Sequence, residues 1–158
     1  MNSLFERRLI LLLVTGAGTG YLPWCPGTFG TALAIPLSLG LNRVAASSRI
    51  LALLILMTLI FCAVSLSKKG AEILRQADPR VIVIDEMVGF LVANFLSPPG
   101  VLAPTLAFAF FRFFDIAKVF PLSQLEMLSG GKGIVLDDVM AGLYTLGIML
   151  LLSWLGIL

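Results

Sequence analysis

The sequence contains no histidine among its 158 residues. This absence excludes histidine both as a general base and as a metal ligand. Charge is scarce too, because 13% of the residues are charged and the formal net charge of +2 leaves no broad basic surface for nucleic acid. Two cysteines, Cys25 and Cys62, are too few for a disulfide framework. The chain is therefore neither a nucleic-acid-binding module nor a small disulfide-stabilised domain.

What the sequence has in excess is apolar side chains. Hydrophobic residues make up 59% of it, whereas soluble globular domains are about half apolar and about a quarter charged. This composition excludes a disordered chain and an ordinary soluble enzyme. The length suits a single domain covering residues 1–158. We expect an all-α fold, a small polytopic helical membrane protein with about four to six hydrophobic helices, some short or re-entrant.

Uncharged apolar runs locate the membrane segments. The clearest covers residues 50–66, and a second strong candidate covers residues 139–158. Three weaker candidates cover residues 28–41, 81–96 and 101–114. The turn residues Ser97-Pro98-Pro99-Gly100 separate the last two, which predicts a helical hairpin.

The N-terminus has the outline of a signal peptide, since Arg7-Arg8 precede the apolar residues 9–14. That apolar stretch is short and runs directly into a glycine-rich segment. We therefore expect it to stay in the protein as a short or re-entrant helix. Whether residues 9–14 cross the bilayer is left open by the sequence.

The distribution of basic residues predicts the orientation. If residues 67–80 are cytoplasmic, Arg43 and Arg49 fall on the other side. The basic residues then on or bordering the cytoplasmic side are Lys68, Lys69, Arg75, Arg80, Arg112, Lys118 and Lys132. This excess predicts a cytoplasmic loop at residues 67–80 and a C-terminus outside.

Two pairs of acidic residues interrupt the apolar pattern. Asp85 and Glu86 lie within a hydrophobic run, where each charge costs about 2.5–3.5 kcal/mol on the insertion scale. Asp137 and Asp138 precede the last apolar segment. Each pair also has an interpretation without a function. The first pair could lie at a hydrated helix end, and the second could cap the N-terminus of a helix. Adjacent carboxylates repel each other, however, which favours a bound cation.

Both acidic pairs are followed by glycine at the same spacing. Gly89 lies four residues after Asp85, and Gly142 lies four residues after Asp138. On a helix each glycine leaves the face below its acid open for a neighbouring helix. Two such faces in contact would bring four carboxylates together, and hard oxygen ligands suit Mg²⁺, Mn²⁺ or Ca²⁺.

Three further segments supply candidates for binding an anion. On a helix, Arg112, Asp115 and Lys118 would form one ridge of alternating charge. The ridge is either a set of salt bridges within the helix, or a functional group in which the acid binds the metal and the two cations bind phosphate. Lys132 lies in Gly130-Gly131-Lys132-Gly133, a flexible connector that also suits phosphate contact. A loop rich in glycine and proline precedes a predicted helix start near Thr28. This loop is either an anion-binding site at the helix N-terminus or a re-entrant hairpin between two helices.

Four motifs together are similar to those of the phosphatidylglycerophosphatase A family. They occupy residues 18–30, 83–89, 111–118 and 130–142, in the family's order and spacing. The resemblance implies a small helical membrane phosphatase of the bacterial cytoplasmic membrane that depends on Mg²⁺. It implies an anionic phospholipid substrate, phosphatidylglycerophosphate, whose terminal phosphate is removed to give phosphatidylglycerol in phospholipid biosynthesis.

The residues and the resemblance together predict a site that faces the cytoplasm. We expect one or two Mg²⁺ ions to be held by carboxylates, and a carboxylate that does not bind metal to accept a proton from the attacking water. These catalytic and metal-binding acids are Asp85, Glu86, Asp115, Asp137 and Asp138. Phosphate is expected to contact Arg112 and Lys118, with Lys132 and Thr28 as further candidates.

A different class of protein also fits part of the pattern. A small ion-coupled transporter or channel subunit uses intramembrane carboxylates and broken helices in a comparable way. The pairing of the acids with Arg112 and Lys118 favours an anionic substrate. The sequence leaves open the oligomeric state, the number of metal ions and which acid is the general base.

Overall fold

The computed structural model describes residues 3–158, and over that range the chain is helical without any β-strand. The helices are α1 (Leu4–Val14), α2 (Pro26–Ser47), α3 (Arg49–Leu74), α4 (Ile84–Ala93), α5 (Leu102–Ala117), α6 (Leu122–Glu126) and α7 (Gly131–Trp154). A single 3-10 turn at Thr19–Tyr21 lies between α1 and α2. The predicted all-α membrane fold is confirmed.

Within residues 3–158, three helices are long and apolar enough to cross a bilayer. They are α2, α3 and α7, with 22, 26 and 24 residues, which at about 1.5 Å per residue reach or exceed the hydrocarbon thickness of about 30 Å. The outer face of α3 exposes Ile50, Leu54 and Phe61 to the surroundings. Exposed side chains of this kind suit contact with lipid and not with water.

The central helix α4 is too short to cross. Its 10 residues span about 15 Å, so the predicted segment at residues 81–96 is a buried half-length helix. It forms the expected hairpin with α5. Phe90 and Phe111, one from each helix, are fully buried and meet edge to face with ring centroids 6.2 Å apart. In its acidic first turn, Asp85 is buried and Glu86 is half-buried.

A polar network holds the far end of α4 to α2. The side chain of Asn42 accepts a hydrogen bond from the Leu96 N–H at 2.9 Å and donates one to the Asn94 carbonyl at 2.8 Å. The buried Asn94 amide in turn donates to the Ser38 hydroxyl at 2.9 Å. Backbone groups at membrane depth must be paired inside the protein. Sequence reasoning missed this network.

The last helix starts earlier than the sequence predicts. It begins at Gly131 and not at residue 139, so Asp137 and Asp138 lie well inside α7 and are not N-caps. The expectation of a flexible glycine connector there is wrong for a steric reason. A Cβ on Gly131 would overlap the Val64 carbonyl of α3, so this glycine permits close helix packing.

The N-terminal segment forms a short helix, as expected. The 11 residues of α1 extend about 16 Å, which is too little to cross the bilayer. The chain then turns back, and the Val14 carbonyl accepts a hydrogen bond from the Val83 N–H at 2.8 Å. Gly20 lies so close to Val81 that a Cβ would overlap its carbonyl. The N-terminal segment thereby positions the start of α4.

Candidate active site

Five helices contribute to one cavity of about 880 Å³. Its walls are the first turns of α2 and α4, the last two turns of α5, the end of α6 with the loop that follows, the first two turns of α7 and the segment after α3. The charged residues predicted for the site that line it are Asp85, Glu86, Arg112, Asp115, Lys118, Asp137 and Asp138. Residues that are far apart in the sequence thus share one enclosure.

Three carboxylates form the centre of this cavity. Asp85, Glu86 and Asp138 each offer an oxygen, and these oxygens lie within 4.8 Å of one another. Among the residues that the structure describes, Asp85 Oδ1, Glu86 Oε2 and Asp138 Oδ1 have no hydrogen-bond partner and are buried. Buried carboxylates this close repel one another unless a cation joins them. Their donor set is the one that Mg²⁺ or another hard divalent cation prefers.

The helix faces that Gly89 and Gly142 leave open explain how the three acids meet. A Cβ on Gly142 of α7 would overlap the backbone carbonyl of Gly89 on α4. The two helices therefore touch through their backbones, which brings Asp138 beside Asp85 and Glu86. Both α4 acids lie in the first turn of their helix, where the helix dipole favours negative charge.

Arg112 and Asp115 form the ion pair that their spacing predicts. Arg112 Nη1 lies 2.5 Å from Asp115 Oδ2. The same nitrogen is close to the first turn of α2, since a Cβ on Gly27 would stand 3.1 Å from it. Arg112 Nε and Nη1 are both buried without a hydrogen-bond partner within residues 3–158, so the contact of Nη1 with Asp115 is an ion pair that lacks hydrogen-bond geometry. Arg112 therefore keeps a donor that is free for an anion.

Lys118 leaves the ridge that the sequence predicts. It ends α5 in the left-handed conformation, with φ of 47°. Its ammonium donates to Asp137 Oδ2 at 2.5 Å and lies 3.5 Å from Glu126 Oε2. Burial lowers the pKa of Lys118, but the hydrogen bond and charge of Asp137 outweigh this and hold that pKa above its ordinary value of 10.5. Lys118 is thus a permanent cation, and it compensates Asp137.

The five acids predicted as metal ligands consequently divide into two groups. Asp85, Glu86 and Asp138 form the cluster, whereas Asp115 and Asp137 each carry an ion pair with a base. Asp115 stays close enough for its charge to act on Glu86 and on Asp138. The structure thus separates acids that the sequence treats alike.

The two weaker phosphate candidates lie outside the cavity wall. Over the described part of the chain, the lining includes neither Thr28 nor Lys132. Thr28 is half-buried in the first turn of α2, and Lys132 is exposed at the start of α7. Their neighbours Gly27 and Gly133 line the wall instead.

Sequence reasoning missed several wall residues, of which Glu126 and Gly27 touch the predicted site residues. Glu126, at the end of the short helix α6, lies near Lys118. Gly27 is packed so tightly that a Cβ there would overlap the Glu86 carboxylate. The Pro26-Gly27 pair at a helix start was the available signal for Gly27. Glu126 lies in a stretch of mixed polar and apolar residues that gives no signal of its own.

Comparison with known proteins supplies the family context. The family model described as Phosphatidylglycerophosphatase A matches residues 12–153. A Bacteroides thetaiotaomicron protein, provisionally named a phosphatidylinositol-3-phosphatase, is 34% identical, over 92% of this chain and 94% of that protein. A Haemophilus influenzae protein named Phosphatidylglycerophosphatase A is 36% identical, over 85% of this chain and 83% of that protein. An Escherichia coli protein of the same name is 32% identical, over 93% of this chain and 87% of that protein. No solved structure matches the chain.

Proposed function

Because the chain belongs to the phosphatidylglycerophosphatase A family, we propose that it hydrolyses the terminal phosphate of phosphatidylglycerophosphate in a bacterial inner membrane. The products are phosphatidylglycerol and phosphate, which gives the enzyme a role in phospholipid biosynthesis. The observation that carries this proposal is the cluster of Asp85, Glu86 and Asp138 beside Arg112 and Lys118. Together they offer cation ligands and anion donors within one cavity.

We propose Mg²⁺ as the cation held by the three-carboxylate cluster. Each acid keeps a buried oxygen without a hydrogen-bond partner in the described structure, which is the condition that a metal ion relieves. Mg²⁺ binds through few carboxylates and retains several waters, and a cavity of about 880 Å³ leaves room for them. When bound, such an ion supplies Lewis-acid polarisation of the phosphoryl group and ionisation of a water at neutral pH.

The two basic residues orient the phosphate. Arg112 offers its unpartnered Nε, and its Nη1 lies beside Asp115 Oδ2 in an ion pair. Planar guanidinium groups bind phosphate oxygens in bidentate fashion. Lys118, positioned by Asp137, supplies a second positive charge at the cavity wall. Both cations neutralise charge that builds up on the phosphoryl oxygens, which dominates catalysis of phosphate transfer.

Asp115 is our candidate for the proton acceptor. It lines the cavity, its charge acts on Glu86 and Asp138, and it is outside the three-carboxylate cluster. A carboxylate that does not hold the metal remains available to accept a proton from the attacking water. Asp137, paired with Lys118, is instead a positioning residue.

The proposed orientation places this cavity at the cytoplasmic face. Arg80 and Asp78, from the segment after α3, are exposed residues that line it. The same end of the molecule carries Lys68 and Lys69 at the end of α3. An excess of basic residues is typical of the cytoplasmic side. The polar headgroup would therefore enter from the cytoplasm.

The decisive experiment measures phosphate release in detergent micelles from phosphatidylglycerophosphate, with and without Mg²⁺. We expect turnover that EDTA abolishes and Mg²⁺ restores. Asp85→Asn and Asp138→Asn should each reduce turnover by at least about 100-fold, because even outer-shell changes at metal sites cost about 10–100-fold. Glu72→Gln, an exposed acid on α3, is the matched control and should be unaffected.

The Bacteroides thetaiotaomicron relative makes phosphatidylinositol 3-phosphate the second substrate to test. Faster phosphate release from that lipid would reassign the headgroup and keep the phosphatase chemistry. Absence of release from either lipid, at any Mg²⁺ concentration, would overturn the proposal and favour the ion-coupled transporter.

A further inference from the structure

The active-site cavity is larger than the hydrolysed phosphate requires. Its volume of about 880 Å³ is in the range of pockets that enclose a whole small-molecule ligand, about 300–1,000 Å³. Beyond the three-carboxylate cluster the lining includes two segments without any proposed catalytic residue, residues 77–80 after α3 and residues 127–130 after α6. Phosphatidylglycerophosphate has a second phosphate, the diester that joins its glycerol headgroup to diacylglycerol. The cavity therefore has room for more of the headgroup than the terminal phosphate.

The charges that line the cavity are mostly negative, so its bases are few. Seven acids line it against three bases, Arg80, Arg112 and Lys118. The two bases proposed to orient the terminal phosphate, Arg112 and Lys118, are each engaged in ion pairs with acids of the wall. Across residues 3–158, Arg80 is the one lining base without an ion pair, even though Asp78 lines the same wall. The guanidinium of Arg80 is therefore free for an anionic ligand.

The backbone holds Arg80 on a fixed turn. The Ile82 N–H donates to the Pro79 carbonyl at 2.9 Å, which places Arg80 and Val81 at the centre of the turn. Pro79 and Ile82 are buried, and Gly20 is packed against the Val81 carbonyl. Arg80 is exposed and lines the cavity. A turn that is buried on both sides thus presents one free guanidinium to the cavity.

Contacts with α3 place this turn at the membrane surface. The uncharged run of α3 ends shortly before Lys68 and Lys69. Gly70 follows them, and a Cβ on it would stand 3.2 Å from Ile82 Cδ1. The turn that carries Arg80 therefore lies at the level of the two lysines, in the headgroup layer that flanks the hydrocarbon core. The diester phosphates of phospholipids lie in the same layer.

The three-carboxylate cluster lies deeper in the molecule. A Cβ on Gly131, at the start of α7, would stand 2.9 Å from the Lys68 backbone nitrogen. From there α7 runs toward the other end of α3, where Leu146 packs against the core cluster that contains Ala52. Asp138 is seven residues after Gly131, which places it about 10 Å further into the bilayer. One cavity thus joins a cation at the membrane surface to the hydrolytic centre below it.

We propose that Arg80 binds the diester phosphate of the substrate lipid. This inference rests on the proposed function and names a residue that recognises the part of the headgroup that is not hydrolysed. The diester phosphate stays at the membrane surface beside Arg80, while the terminal phosphate reaches down to the three-carboxylate cluster. The glycerol between the two phosphates and the long arginine side chain together cover that step. The substrate class is thus phospholipids that carry both a diester and a terminal monoester phosphate.

The two products of the proposed reaction each report on one half of the site. Phosphatidylglycerol retains the diester phosphate, and inorganic phosphate is the group released. Both serve as inhibitors of phosphate release from dioleoyl phosphatidylglycerophosphate in detergent micelles, and dioleoylglycerol at the same mole fraction corrects for dilution. Arg80→Gln removes the charge. Arg75→Gln is the matched control, because Arg75 is an exposed arginine at the end of α3 that is not part of the cavity lining over the described chain.

We expect Arg80→Gln to raise the KM of the substrate and the inhibition constant of phosphatidylglycerol by about tenfold each, the effect of losing one charged hydrogen bond. Both kcat and the inhibition constant of inorganic phosphate should stay within about twofold, because Arg80 does not touch the phosphate that reacts. Arg80→Lys should recover part of the loss, since lysine keeps the charge without the planar fork. Arg75→Gln should match the unmodified protein.

The outcomes separate this inference from the function beneath it. Absence of phosphate release by the unmodified protein refutes the proposed function, and the role of Arg80 with it. In an active protein, an unchanged KM and unchanged inhibition by phosphatidylglycerol in Arg80→Gln overturn the role of Arg80 alone. Equal weakening of inhibition by inorganic phosphate would place Arg80 at the hydrolysed phosphate instead. The same losses in Arg75→Gln would also overturn the inference, since general surface charge would then be the cause.

Discussion

A Cβ placed on Gly89 of α4 would stand 2.7 Å from the backbone oxygen of Asp138 on α7. The two helices are therefore in backbone contact at the level of the three-carboxylate cluster. Side chains any larger than hydrogen at this point would separate Asp85 and Glu86 from Asp138. The cluster exists because a glycine lies one turn below it.

Gly89→Ala tests this dependence. The added methyl group must push α4 away from α7, and displacements of about 1 Å can cost about 100-fold in turnover. We expect a loss of that order in phosphate release, together with a weaker rise of Tm on adding Mg²⁺. Gly147→Ala is the control, because a Cβ there meets nothing within 4 Å. If both variants turn over like the unmodified protein, the backbone contact does not set the geometry of the cluster.

The sequence predicted that four carboxylates meet, and three of them do; the prediction was possible because charges within an apolar run are energetically costly. Asp85 and Glu86 stand within an apolar run, and glycines at the matching spacing follow both acidic pairs. Gly142 then lies against the Gly89 backbone, as expected. The apolar runs likewise predicted the long helices, because a hydrocarbon layer leaves the backbone few alternatives.

The remaining errors have physical causes that one sequence does not display. Glycines near residue 131 suggested a connector, but they permit close helix packing, which depends on a distant helix. Lys118 does not continue the predicted ridge because it adopts the left-handed backbone conformation, with φ of 47°. Residues other than glycine rarely adopt this conformation, so the sequence did not indicate it. Asn94 is neutral and carries no charge cost, so its buried network gave no signal.

The ion pair of Lys118 with Asp137 predicts a pH dependence of stability. The pKa of Lys118 is raised, so the pair's contribution is complete below the ordinary value of 10.5 and is lost as pH rises through the raised value. Lys118→Met should therefore lower Tm by a constant amount from about pH 7 to about pH 9. The difference from the unmodified protein should shrink only above pH 10.5.

Thermal unfolding followed by circular dichroism across this pH range measures the effect. Lys69→Met, which removes an exposed lysine of α3, should leave Tm nearly unchanged. A Tm difference for Lys118→Met that vanished near neutral pH would contradict the raised pKa. Lys118→Met should also reduce kcat/KM by about 10–100-fold, the range of a charged hydrogen bond, with partial recovery in Lys118→Arg.

The Asn42 network predicts a change in stability without a change in chemistry. Asn42→Leu removes the partner of the Leu96 N–H and one of two donors to the Asn94 carbonyl, which keeps its hydrogen bond from the Ser97 N–H at 3.3 Å. Each hydrogen bond lost contributes about 0.5–1.5 kcal/mol, so Tm should fall by a few degrees. Phosphate release per folded molecule should stay near normal, because the network lies at the end of α4 opposite Asp85. Ser65→Ala is the control, since that exposed hydroxyl bonds only within α3; an equal Tm loss there would contradict the assignment.

The first turn of α2 provides the sharpest test of the cavity wall. A Cβ on Gly27 would overlap the Glu86 carboxylate and stand 3.1 Å from Arg112 Nη1. Gly27→Ala should therefore displace both groups and reduce phosphate release by about 100-fold, while Tm without metal changes little. Gly40→Ala, on the same helix with open space around it, should retain full activity. Both variants can be compared by the Mg²⁺-dependent rise in Tm, which only Gly27→Ala should lose. Retention of that rise in Gly27→Ala would mean that α2 does not press on Glu86, and Arg112 alone would then define this side of the site.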